Sequence, residues 1–356
     1  MSNTPDDIEA YLQEQIDKQG TAEEMTRMIR DLPDLVESAR NADLCPTLTM
    51  LAGFMTVPEL QPNLIRLEAL AHLVLALAAG KAHPSRELFD RWLNKDLAED
   101  LLVRAEDPVE DVFVTNVVTG GGNRRIFTGI WETPDFWLQT LIDVLAVAPR
   151  TSEFNRIRSE MDSLLKLSEA VAERSGAPRF STSKGTPGSR IELPQAADIP
   201  GVASRCCFSL EKLDELGIRR ELLSPFVFDL ESRAQLEGQE IGGSGLQRRP
   251  LVACGDTLVV VIPQAIATAL RVYVLEAVAG LGRSSFASFE HVLRGMQSGA
   301  VFGETLRFSK RLTDVSKVLP RSSIDDKRLS QVAVGFDEGK FAHVGASARR
   351  LRGRTR

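Results

Sequence analysis

The sequence predicts an α+β protein: a mainly helical N-terminal domain with an inserted β-hairpin, followed by a smaller mixed domain with two hairpins and two or three helices. Three observations carry this reading. Through much of the first half, apolar residues recur every three or four positions, the period of an amphipathic helix. β-branched and aromatic residues crowd instead around three turn signals, "GGGN" at 120–123, "GD" at 255–256 and "DEGK" at 337–340. Between the first two, residues 177–204 lose their period to Ser, Thr, Gly and Pro, the composition of a flexible linker or surface loop.

Residues 1–176 are read as the helical domain. Thr4-Pro5-Asp6-Asp7 combines an N-cap, a proline at the first helical position and acids on the positive end of the dipole. Thr21-Ala22-Glu23-Glu24 has capping-box spacing, so helices are expected to start near residues 5 and 22. A long apolar helix follows, from about Asn63 to Ala79 with Gly80 as its stop, and another after Pro84-Ser85 carries Leu88, Trp92 and Leu93.

The hairpin is expected over 111–131 with its loop at Gly120 to Asn123. That places Thr119 opposite Arg124, Val117 opposite Ile126 and Phe113 opposite Ile130. Both faces are apolar, so helices should cover them. Arg124 and Arg125 fall on opposite faces near the tip and are candidate contacts for an acidic partner. Thr133-Pro134-Asp135 starts the next helix, and Phe154, Ile157, Met161, Leu164, Ser168 and Val171 form the apolar stripe of another that ends near Gly176.

Residues 205–344 are read as the small α+β domain. It holds a short helix from Ser209 to about Glu215 stopped by Gly217, and a flexible patch, "GQEIGGSG". A hairpin then sets Val252 opposite Val259 and Leu251 opposite Val260. Pro263 starts a helix ending at Gly280, a further helix runs from about Ser285, and a last hairpin sets Phe336 opposite Phe341. Residues 345–356 are Arg-rich and unpatterned, with five arginines in the last eight positions. Three readings of this tail stay open: a basic arm for an anionic surface, a disordered end, or a truncated or out-of-frame ending.

Composition narrows the function. The chain carries a net charge of -6 even with its basic tail, so its body is a poor general binder of nucleic acid, and nucleic acid is expected only at that tail. The longest apolar run, "LEALAHLVLALAAG", is too short for a span of about 20 residues. With no signal-peptide pattern, the expectation is a cytoplasmic protein without a membrane partner. Cys45, Cys206, Cys207 and Cys254 form no CxxC pair and read as free, mostly buried thiols.

Familiar catalytic and binding motifs find little support among the residues. "GGGNRR" lacks the last glycine of a dinucleotide fingerprint and runs into strand rather than helix, so it cradles no phosphate. "GGSG" at 242–245 is followed by Leu246 and does not satisfy G-x-S-x-G. His72, His83, His291 and His343 stand alone, and His72 on an apolar helix reads as a satisfied core histidine. Asp326 followed by Glu338-Gly339-Lys340 has the form of a metal-dependent nuclease, in which two carboxylates hold Mg²⁺ and lysine supports the attacking water. The same residues read as a hairpin turn.

The leading expectation is a non-catalytic interaction or regulatory module with a protein partner, possessing no cofactor and extending in its natural form into a larger polypeptide. The alternative is a metal-dependent nuclease or other hydrolase using Asp326, Glu338 and Lys340.

Overall fold

The computed structural model describes residues 24–97, 109–129, 136–178, 181–185, 189–239, 241, 244–281, 287, 289, 332–337 and 340–345. It is a mainly helical α+β fold with small antiparallel sheets, as the periodicities predict.

The chain enters through α1 (Glu24–Asp31), α2 (Pro33–Asn41) and α3 (Leu44–Phe54). Helix α4 (Leu64–Leu77) is buried almost all round, with Arg66, Glu68 and His72 inside the core beside its leucines and alanines. A helix apolar on every side has no solvent face to present, and α4 is the central element of its unit. The helix ends at Leu77, where Ala78 turns extended, two residues before the expected end at Ala79, and Gly80 is not its stop but a contact point. The Ala79 and Gly80 amides both donate to the Arg40 carbonyl, at 3.0 and 2.9 Å, and a Cβ on Gly80 would lie 2.1 Å from the Asn41 oxygen. The glycine is there because two backbones touch.

Helix α5 (Arg86–Arg91) starts at Ser85, whose hydroxyl accepts from the Leu88 amide at 3.2 Å. It then widens into a π turn over Trp92–Asp96, closed by the Leu97 amide donating to the Trp92 carbonyl at 2.9 Å. Phe54, Phe89 and Trp92 pack edge to face behind it, with ring centroids 5.3 and 5.5 Å apart.

Strands β1 (Val109–Thr119) and β2 (Gly122–Phe127) form the expected first hairpin, but two residues tighter than the sequence suggests. Thr119 pairs with Gly122, Val117 with Arg124 and Thr115 with Ile126, leaving only Gly120 and Gly121 in the turn. The Thr119 hydroxyl decides this, donating to the Gly122 carbonyl at 2.8 Å and accepting from the Gly121 amide at 3.2 Å, while Gly122 takes a φ of 111°. The pairing of Phe113 with Ile130 is replaced by a bond from the Thr128 amide to the Phe113 carbonyl.

Helices α6 (Phe136–Val147) and α7 (Ser152–Arg174) follow, and the six-residue stripe read along α7 is buried throughout. Strand β3 (Ser181–Gly185) pairs with the free edge of β1, giving the order β2-β1-β3. Next come α8 (Ile199–Ser204), β4 (Cys207–Ser209), α9 (Leu210–Glu215) and α10 (Gly245–Arg248). Strands β5 (Leu251–Cys254) and β6 (Thr257–Val260) make the second hairpin in the expected register, Leu251 on Val260 and Val252 on Val259, with β4 on its other side. Pro263 opens the turn into α11 (Ile266–Ala279). The last hairpin, β7 (Val332–Asp337) and β8 (Lys340–Gly345), pairs Phe336 with Phe341 as expected.

The chain divides into two compact units, residues 1–135 with 159–273, and residues 136–158 with 274–356. In the first, residues 189–194, within the stretch expected as a linker or surface loop, are held through their main chain. Asn94 brackets Ile191, its Nδ2 donating to the carbonyl at 2.8 Å and its Oδ1 accepting from the amide at 2.6 Å. Arg86 donates to the carbonyls of Pro194 and Leu193 at 2.9 and 3.2 Å, and Arg66 to that of Ser189 at 3.1 Å. A segment without apolar period is ordered here because side chains from elsewhere take its main-chain groups. The "GQEIGGSG" patch is likewise not uniformly loose, since Ile241 and Ser244 are fully buried. In the second unit Arg158 closes α6, donating to the carbonyls of Leu145 at 2.7 Å, Pro149 at 3.1 Å, and Ala148.

Candidate functional site

Arg124 and Arg125 emerge on opposite faces of the first hairpin, and their surroundings separate them. Arg125 is held by its own chain. Its Nε and Nη2 donate to Glu169 Oε1 on α7 at 2.9 and 2.7 Å, its amide to Oε2 at 2.5 Å, and its Nη1 to the Ala177 carbonyl at 2.6 Å. The Ser168 hydroxyl donates to its carbonyl at 3.0 Å, so α7 takes both main-chain groups that this edge strand would otherwise leave open. Burial alone would raise the Glu169 pKa, but the hydrogen bonds and charge of Arg125 outweigh it and hold the carboxyl below its ordinary value. Arg124 folds back over Gly121 instead, and its Nε is buried without a hydrogen-bond partner. On the other face of the tip, opposite Asn123, Val118 is 56% exposed.

His72 and Ser244 meet in the core. The histidine Nδ1 contacts the Glu68 carbonyl at 2.7 Å and its Nε2 lies 2.5 Å from Ser244 Oγ, while the Gln247 side chain donates to Glu68 Oε2 at 2.7 Å. With Nδ1–H donating to the carbonyl, Nε2 accepts from the serine hydroxyl. A serine touching a histidine is the outline of a nucleophile and its base. Here Ser244 also caps α10, accepting from the Gln247 amide at 3.2 Å, and both residues are buried. Burial lowers the His72 pKa to about 4 against a smaller upward push from the Glu68 carbonyl bond. This is a polar knot fastening α10 to α4, the satisfied core histidine that the sequence suggests.

The cysteines correct an expectation. Cys45 and Cys254 are joined as a disulfide across 209 residues, with Cα atoms 5.8 Å apart, while Cys206 and Cys207 are free. No local pattern could reveal this pairing, since the fold alone brings the start of α3 to the end of β5. The disulfide, Cys207 and His83 line one shallow cavity of about 410 Å³. Burial raises the Cys207 pKa despite the nearby Arg174, so its thiol is a weak nucleophile.

A second cavity, of about 490 Å³, has a more polar lining than the first. Its floor is Arg66 of α4, 1% exposed and donating to the Leu93 and Ser189 carbonyls at 3.3 and 3.1 Å. Glu87, Asp90 and Arg91 come from α5, Asn94 and Lys95 from the π turn, and Arg190 from the segment tied down by Asn94. Asp90 is engaged by Asn94 Nδ2 at 2.9 Å and Arg190 Nη2 at 3.8 Å. Arg91 is held by Ser38 Oγ at 2.7 Å and Asp96 Oδ2 at 3.4 Å. Sequence reading passed over this site. Its one visible signal was an arginine inside the apolar "LIRLEALAHL" helix, where a charge needs a reason.

Of the nuclease candidates, Asp326 and Glu338 lie outside the described residues. Lys340 opens β8 directly opposite Asp337. Among the described residues no three His, Cys, Asp or Glu side chains gather around a common point, and no helix is long and apolar enough to cross a membrane.

Residues 14–345 match the family model described as Upx-like, anti-phage protein Upx-like. No curated protein and no solved structure matches the chain.

Proposed function

The chain belongs to the Upx-like family of anti-phage proteins, and from this we infer that it serves phage defence as a non-catalytic interaction module engaging a protein partner. One observation carries the reading: a hairpin pinned to α7 through Arg125 and Glu169 presents an exposed valine and a second arginine at its tip. A contact surface works best when its scaffold is fixed beforehand, and an arginine on one face of the tip with an exposed valine on the other suits a partner that clasps the hairpin end. The sequence offered both arginines as partner contacts. With Arg125 occupied internally, the contact narrows to Arg124 and Val118.

A second reading keeps the metal-dependent nuclease. It rests on Asp326, Glu338 and Lys340 as the residue types that such chemistry uses, of which Lys340 stands at the start of β8. Plaque counts on cells carrying each variant separate the two. The interaction reading expects Val118→Asp and Arg124→Glu to abolish protection at unchanged melting temperature, and Glu338→Ala to protect like the parent. Loss of protection confined to Glu338→Ala, with Mg²⁺-dependent DNA cleavage lost in parallel, establishes the nuclease instead.

A further inference from the structure

We propose that the cavity between α4, α5 and the π turn binds a small molecule bearing a phosphate group. Its volume, about 490 Å³, is that of a small-molecule pocket. Four bases face two carboxylates around it. One carboxylate, Asp90, is already engaged by Asn94 and Arg190, and Glu87 bonds back to Ser85 and its own amide at the start of α5. With Asp96 pairing Arg91, four bases stand against three carboxylates, so the balance toward an incoming ligand is positive by one, in a chain whose net charge is negative.

The bases sit at graded depths. Arg66 at the floor is buried, and its two carbonyl bonds fix the guanidinium plane. Lys95 is exposed, and the Arg190 side chain at the rim is 76% exposed. An anion reaching the floor meets a preset, buried guanidinium, with which charge-assisted hydrogen bonds are stronger than at the solvated rim. A phosphate group, with several acceptor oxygens and up to two charges, matches guanidinium forks better than a single carboxylate does.

The π turn is an independent sign. It interrupts the regular ladder after α5 and carries Asn94 and Lys95 to the cavity, and such interruptions concentrate at functional sites. Asn94 also holds Ile191, and with it the segment bearing Arg190. One irregular turn thus sets both walls. A recess of this size takes a phosphorylated small molecule or free phosphate rather than a duplex.

The test is thermal unfolding of the full chain with inorganic phosphate, a nucleoside monophosphate, or the same nucleoside without phosphate. The expected result is a midpoint rise on the order of a few degrees with either or both phosphate-bearing probes, weakening as salt is added. The unphosphorylated nucleoside should give none. A response to the ester alone assigns the site to phosphate monoesters; a response to inorganic phosphate assigns it to the free anion as well. Both rim residues are exposed, so Lys95→Glu with Arg190→Glu should fold and lose the shift, while Arg220→Glu, away from the cavity, should keep it. No shift with any probe, a response to the bare nucleoside, or an undiminished shift in the double variant overturns the proposal. Protection against phage does not enter the readout, so the result is independent of the interaction reading.

Discussion

Arg125 and Glu169 form a forked ion pair between β2 and α7, two guanidinium nitrogens and one main-chain amide converging on a single carboxylate. Both side chains are about one-sixth exposed, so screening by solvent is weak. Glu169→Ala should lower stability by about 3 kcal/mol, since it strands a partly buried guanidinium and the edge amide together. Glu173→Ala removes a contact at 3.7 Å from a carboxylate that is 61% exposed, and chemical denaturation should find a loss under about 1 kcal/mol. Equal losses would mean that the hairpin is held by net charge rather than by the fork.

His72 makes the fold acid-sensitive. Its pKa is about 4 when folded against 6.5 as the ordinary value, so between those limits the unfolded chain binds the extra proton. Its contribution is complete above pH 6.5, erodes as pH falls, and is lost by pH 4, in total about 3 kcal/mol. Glu169, depressed when folded, acts in the same direction at lower pH, its contribution vanishing as the carboxylate protonates. In urea titrations at pH 7.0 and 4.5, the drop seen in the parent should shrink markedly in His72→Gln.

Gly53 on α3 is a contact point. A Cβ there would stand 2.5 Å from the Val202 oxygen and 2.8 Å from the Ala203 Cα on α8. Backbone cannot swing aside as a side chain can, and Gly53→Ala should cost about 1–3 kcal/mol despite alanine's better helix propensity. Gly201→Ala, with open space at its Cβ, should be neutral or slightly stabilising. Thermal melts of the two variants give the comparison directly.

Reduction should be felt throughout the first unit. The chain-entropy argument gives the Cys45–Cys254 link about 5 kcal/mol for a loop of 209 residues. Both cysteines are half-buried, so a small thiol reductant can reach them. Dithiothreitol should lower the unfolding midpoint of the parent to that of Cys45→Ser and leave the variant unmoved.

What the sequence disclosed was local. The hairpin at Gly255–Asp256 and the pairing of β7 with β8 were legible to the register, because short connections between alternating apolar runs leave little choice of pairing. The stripe along α7 and the caps Ser85 and Ser209 were legible for the same reason. Three successive glycines were not: any of them can take a positive φ, and the Thr119 hydroxyl made the choice. Strand β3 carries "STSKG", which has no apolar alternation, and exists because β1 had a free edge. The arginine pair was visible as a pair, but Glu169 lies 44 residues on, so which arginine was occupied could not be read. The cavity at the π turn gathers residues from 66 to 190, and only its buried arginine stood out locally.

The link between Cys45 and Cys254 also makes most of the first unit a covalent ring. A protease that cuts once anywhere between those residues opens the ring without releasing a fragment, so the nicked protein keeps its mass until a reductant is added. Cleavage inside the ring is therefore invisible on a non-reducing gel and obvious on a reducing one, and the contrast maps any cut to one side or the other of residues 45 and 254.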